Sequence, residues 1–217
     1  YPLEAAIKYL VLSAAASAIL LFGVALVYAQ TGSLSFASLA ETSPFGSGFS
    51  VLAILLLAVG MAFKLSLAPF HVWTPDVYEG APLPATSYLA TLGKVAVFVV
   101  LMRWLIDSDA LQHEAVVAVL SLLAAASILG GNLLALLQAN LKRILAYSSI
   151  AHMGYVLVAV VATAYVQDTV AVEAVSFYLL AYSIMTLGAF GIAATISSSD
   201  KEFDVVHDYR GLFWRAP

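Results

Sequence analysis

Long apolar runs without alternation make up most of the chain, separated by short polar or proline-bearing joints. Crossing a hydrocarbon core of about 30 Å takes roughly 20 apolar residues in a helix, whereas the strands of a barrel alternate polar and apolar residues over about 10. The unalternating runs therefore predict helices, with six spans at about 4–29, 50–73, 85–106, 114–138, 141–166 and 171–196. The linker from Thr31 to Ser50, rich in Ser and Gly with Pro44, predicts a loop. Between the second and third spans, Pro69, Pro75, Pro82 and Pro84 forbid an unbroken helix. This segment is either a broken helix packed inside protein or an ordinary loop that leaves Asp76 and Glu79 in water, and the pattern alone leaves both open. The expected fold is an all-α polytopic membrane bundle, a single transmembrane domain over residues 1–217.

Composition agrees with that pattern: of 217 residues 63% are hydrophobic and 10% charged, and the mean hydropathy is +0.98, outside the balance of a soluble domain. With no cysteine the chain lacks disulfides, thiolate metal sites and cysteine-ligated iron–sulfur clusters. Any redox chemistry is expected elsewhere. The net charge of −4 is dispersed, which argues against a nucleic-acid partner and leaves the lipid bilayer as the expected surroundings. If the spans alternate, Lys8, Lys142, Arg143, Lys201, Arg210 and Arg215 fall on one side and Arg103 on the other, so the first side is expected to be cytoplasmic. The loops with Glu41, with Asp107, Asp109 and Glu114, and with Asp168 then face outward. No start methionine or signal sequence surrounds Tyr1 to Tyr9, and the chain stops at Arg215-Ala216-Pro217 after an amphipathic stretch. The expectation is an internal piece of a longer protein.

The polar residues inside the spans carry the chemistry. Lys64 and Lys94 sit near the middles of apolar runs, where a cation costs roughly 2.5–3.5 kcal/mol on insertion scales. Pro69 is expected to loosen the carbonyl of Leu65, and His71, seven residues on from Lys64, to share nearly its helical face, forming one wet seam. Burial disfavours the ammonium form, which suits a lysine to release and recapture a proton. The plainer reading of Lys64 is a side chain snorkelling to an interface. Around Lys94 the small residues Ala90, Thr91 and Gly93 allow a neighbouring helix close, so that the lysine points into a bundle. In the fifth span Ser148, His152 and Tyr155 form one stripe that either passes protons or glues helices together. Glu4 and Lys8 have the spacing of a surface ion pair. His71, His113, His152 and His207 are too scattered for a metal site, and Gly46-Ser-Gly is too short to cradle a phosphate, so no cofactor is expected to bind here.

Two long stretches, FKLSLAPFHVWTPDVYEGAPLPATSYLATLGK (63–94) and LKRILAYSSIAHMGYVLVA (141–159), closely resemble subunit N of bacterial proton-pumping NADH:quinone oxidoreductase, respiratory complex I. The opening LEAAIKYLVLSAAASAILLFGVALVYAQTG and the closing YRGLFW look like the same subunit, so the resemblance spans nearly the whole chain. It implies an antiporter-like core of fourteen helices, of which this piece is helices six to eleven. It further implies that Lys64 is the central proton carrier of a broken seventh helix and that Lys94 continues the hydrophilic axis from the eighth. His152 lies near that axis, and Glu4 and Lys8 match charged positions at the start of the sixth helix. The family's fifth-helix glutamate and twelfth-helix lysine lie outside this piece, so it is not expected to pump alone. The resemblance also implies proton translocation driven by quinone reduction, in a bacterial inner membrane. NADH, FMN, iron–sulfur clusters and quinone belong to other subunits, and the neighbouring antiporter-like subunit is among the membrane-arm partners. The alternatives are a subunit of a multisubunit cation/proton antiporter or membrane-bound hydrogenase, or a purely structural membrane subunit.

Overall fold

In the computed structural model, residues 2–36, 48–165, 170–197 and 202–215 are described. The middle of the Thr31–Ser50 linker with Glu41 and Gly46-Ser, the turn with Asp168, and Lys201 lie outside them. The helices are α1 (Pro2–Thr31), α2 (Gly48–Leu65), α3 (Trp73–Gly80), α4 (Leu83–Ala90), α5 (Leu92–Asp107), α6 (Glu114–Leu136), α7 (Leu141–Thr163), α8 (Val170–Ile196) and the single turn α9 (Leu212–Arg215). Among the described residues six helical stretches are long and apolar enough to cross a membrane, α4 and α5 together making one of them. The protein is a multi-pass membrane protein of all-α architecture.

The second span ends earlier than its hydrophobic pattern suggests, at Leu65 rather than near residue 73. Its stop is a Schellman motif and not the proline. Ser66 adopts a left-handed φ of 60°, its amide donates to the Phe63 carbonyl at 3.0 Å, and the Leu67 amide donates to Ala62 at 2.9 Å. These are the two bonds that close a helix at a left-handed residue. The next amide, Ala68, donates to the Ser127 hydroxyl on α6 at 2.9 Å. The break is thus satisfied by protein, as backbone at membrane depth requires. Of the two readings of the proline-rich segment the broken helix is the correct one, with α3 buried through Trp73, Thr74, Pro75, Val77 and Tyr78.

The third span also breaks, and no proline marks the place. Thr91 has φ −112° and ψ −86°, outside helical geometry. The Lys94 amide turns to the Thr91 carbonyl at 3.0 Å, so the Ala90 carbonyl loses its i+4 donor. The fourth, fifth and sixth stretches run as continuous helices, α6, α7 and α8.

Close helix contacts hold the bundle together, as expected where lipid weakens the hydrophobic drive between spans. A Cβ on Gly131 of α6 would lie 2.7 Å from the Ala151 amide nitrogen of α7, and one on Gly154 of α7 would lie 2.9 Å from the Ala124 carbonyl. On the other flank Gly60 of α2 packs against Leu20 of α1. The main core joins Leu65, Phe98, Leu105, Met153, Val156 and Leu157 across α2, α5 and α7. A second cluster of Tyr78, Leu83, Ala90, Ala146 and Phe190 encloses the break at Thr91.

Candidate functional site

Lys64 lies on the last turn of α2, where the Schellman motif ends the helix beside it. It is half-buried, and its Nζ donates to the Ser17 hydroxyl of α1 at 3.4 Å. The expected seam of Lys64, the Leu65 carbonyl and His71 does not form as a helical face. Helical rotation of about 100° per residue aligns positions seven apart only while the helix continues, and this one ends at Leu65. The carbonyl that gains a side-chain donor is that of Phe63, which accepts from the Trp73 indole at 3.2 Å. His71 sits in the irregular link before α3, half-buried, and its Nδ1 is buried without a hydrogen bond among the described residues.

Lys94 is 1% exposed, near the start of α5 and just past the break. Its Nζ donates to the Ser149 hydroxyl of α7 at 2.6 Å, and Ser149 is 2.7 Å from the Tyr182 hydroxyl of α8. Tyr182 in turn donates to the Ala90 carbonyl at 2.8 Å. The ammonium also stands 5.9 Å from the centre of the Tyr78 ring of α3, within the range of a cation–π attraction. Four elements therefore converge on one buried cation, and its partners among the described residues are all neutral.

His152 lies one turn beyond Ser149 on α7. Its Nδ1 is 2.7 Å from the Tyr178 hydroxyl, and its ring centre is 5.3 Å from that of Tyr182. Tyr155 packs edge-on against His152 at 5.8 Å, but its hydroxyl turns outward to accept from Asn132 at 2.8 Å. The expected stripe is therefore divided. His152 joins the lysine region, Tyr155 faces the rim, and Ser149 rather than the half-buried Ser148 touches Lys94.

At the end of the bundle where α1 and α7 begin, charged groups gather around α3. Lys8 is 2.7 Å from Glu4 and also 2.9 Å from Asp76, so the pair expected at the surface continues into a network. Arg143 donates to Asp76 at 2.9 Å and to Glu79 at 2.8 Å. Burial pushes the Asp76 carboxyl up, but the hydrogen bonds from Lys8 and Arg143 outweigh it and hold the group below its ordinary value. Lys142, 5% exposed, pairs with Glu202 and donates to the Ala81 carbonyl at 3.0 Å. Glu4, Lys8, Asp76, Glu79 and Arg143 line a cavity of about 100 Å³. Among the described residues no three His, Asp or Glu side chains converge as metal ligands would.

Sequence reasoning overlooked Ser149, Tyr178, Tyr182, Asp76 and Arg143 as members of these clusters. One signal was present for part of the set: Tyr178, Tyr182 and Thr186 are spaced i, i+4, i+8, which marks a polar stripe on α8.

Comparison with known proteins places this geometry in a family. A NADH-quinone oxidoreductase subunit N of Ectopseudomonas mendocina is 54% identical over 99% of this chain and 43% of its own length. Respiratory complex I of Thermus thermophilus with bound aureothin contains a chain of 41% identity and TM-score 0.79, matched over 99% of this chain and 45% of that one. The Mrp complex of Dietzia has a chain of 26% identity, also with TM-score 0.79, over 89% of this chain and 35% of that one. The present chain thus spans under half the length of these relatives. The family described as NADH:quinone oxidoreductase/Mrp antiporter, TM, matches residues 2–217, and the chain belongs to it.

Proposed function

We propose that this chain is part of subunit N of a bacterial NADH:quinone oxidoreductase and carries protons across the inner membrane. The observation that carries the reading is Lys94, 1% exposed, bonded to the neutral Ser149 hydroxyl and set beside a break in its own helix. A buried cation with no carboxylate against it is costly unless its charge is used. Lys64 is the second carrier, also at a helix break, with His152 adjoining the Lys94 cluster. In this reading Lys64 loads a proton from the cytoplasmic side and passes it through water toward Lys94. His71 lies in the broken link and is available to that water. The pair Glu4 and Lys8, joined to Asp76, stands at the cytoplasmic mouth.

This chain supplies no thiolate for an iron–sulfur cluster. NADH oxidation at FMN, electron transfer through iron–sulfur clusters and quinone reduction would occur in other subunits. The neighbouring antiporter-like subunit and the remaining membrane arm are the partners. A place in a cation/proton antiporter is the second reading, supported by the equal TM-score of the Mrp chain; the higher identity to the complex I chain favours the first.

Replacing Lys64 with Met in the full-length subunit tests the reading. Proton pumping and coupled quinone reduction in membrane vesicles should fall by on the order of tenfold while the complex still assembles. Wild-type rates would overturn it.

A further inference from the structure

The hydrogen bonds around Lys94 have a direction. A carbonyl oxygen can only accept, so the single proton of the Tyr182 hydroxyl is committed to Ala90. Tyr182 must then accept from Ser149, whose own single proton is thereby committed as well. Ser149 is left with an acceptor lone pair for Lys94. The Ala90 carbonyl needs that donor because the break at Thr91 has sent the Lys94 amide to the Thr91 carbonyl instead. A buried carbonyl left unpaired is unfavourable. The break in the third span therefore orients a chain of hydroxyls that ends on the lysine three residues after it.

We propose that Tyr182 is a positioning residue for Lys94: anchored on the orphan Ala90 carbonyl, it fixes Ser149 as an acceptor and so favours Lys94 as a donor. Turning both hydroxyls the other way would make Ser149 a donor toward a neutral Lys94 amine, and would leave Ala90 without its partner. The backbone break thereby biases the lysine toward the proton-loaded form, because the ammonium is a stronger donor to Ser149 than the neutral amine, which can still donate through a remaining N–H. Tyr182 itself touches neither Lys94 nor the incoming proton and acts through Ser149. This rests on the proton-carrier reading given above.

The test uses the full-length subunit in its assembled complex, with Tyr182→Phe, Ser149→Ala, their double variant, Ser149→Thr and Lys94→Met. Assembly is read on native gels, and proton pumping with coupled quinone reduction in vesicles. Tyr182→Phe and Ser149→Ala should each lower turnover about fivefold without changing the amount of complex. The double variant should be no slower than the worse single one, since both act through one chain, and Ser149→Thr should restore most of the rate. A double variant whose loss is the product of the single losses would overturn the proposal, as would wild-type turnover in Tyr182→Phe. If Tyr182→Phe fails to assemble, Ser149→Ala decides, because it leaves the Tyr182–Ala90 bond in place: full turnover there also overturns it. Lys94→Met separates the two levels. Wild-type pumping in that variant refutes the carrier reading itself, whereas loss there with no loss in the hydroxyl variants refutes only the role of Tyr182.

Discussion

Lys64 and Lys94 are the same residue type, each beside a break in its helix, yet their surroundings differ. Lys94 is enclosed by α3, α5, α7 and α8 and has a complete chain of hydroxyls leading back to its own break. Lys64 is half-buried and reaches one serine, on α1, at 3.4 Å. The breaks differ as well. Beside Lys64 the backbone closes upon itself through a Schellman motif and borrows Ser127 for the next amide, while beside Lys94 an orphan carbonyl is capped by a distant tyrosine. The donors that complete the break beside Lys64 do not touch that lysine, which bonds Ser17 instead. The donor that completes the break beside Lys94 is linked to its lysine through Ser149.

The largest expected effect tests whether the enclosed lysine is the less replaceable of the two. Lys94→Met should abolish most coupled quinone reduction in the assembled complex, on the order of tenfold or more. Lys94→Arg should restore little, since the larger planar guanidinium does not fit a pocket closed around one Nζ. A vesicle assay in which arginine works as well as lysine would erase the distinction between the two sites.

Next in size is the packing beneath the Lys94 site. Gly131→Ala would drive a Cβ to 2.7 Å from the Ala151 amide nitrogen and 2.8 Å from the Tyr147 carbonyl, both α7 backbone flanking Ser149. Overpacking of this kind costs about 1–3 kcal/mol. Thermal unfolding of the purified complex should therefore begin several degrees lower, with pumping reduced at permissive temperature. Gly130→Ala, which meets nothing within 4 Å, is the matched control and should behave as wild type.

The smallest effect belongs to the charged cluster at the end of the bundle, apart from both Lys64 and Lys94. Asp76→Asn leaves Lys8 and Arg143 with Glu4 and Glu79 as their remaining carboxylates. Because these pairs are partly exposed, the unfolding midpoint should fall by only about 2 °C. The pH dependence follows from the depressed carboxyl. Its stabilisation is fully present above the unfolded value of about 3.8 and is lost as pH falls through the lower folded value. Wild type and Asp76→Asn should thus differ by a constant amount from about pH 5 to pH 8 and converge in stronger acid. A difference that grows between pH 6 and pH 8 would point to another titrating group.

Six spans, two costly lysines and an interruption between the second and third spans were legible in the chain because each follows from local composition: run length, misplaced charge and clustered prolines. That the interruption is a packed broken helix and not a solvated loop was not legible there. Which face of each helix turns inward was decided only by the tertiary structure. In a lipid-facing bundle both sides of a helix are apolar, so periodicity does not orient it, and a rotation of about 100° separates Ser148 from Ser149. The break at Thr91 carries no proline, and the stop at Ser66 relies on a left-handed serine, with the Ala68 amide beyond it satisfied by Ser127, fifty-nine residues further along the chain. The lysines were set in place by the sequence; the chain of hydroxyls that ends on Lys94, from Tyr182 through Ser149, was assembled only by the packing of separate helices.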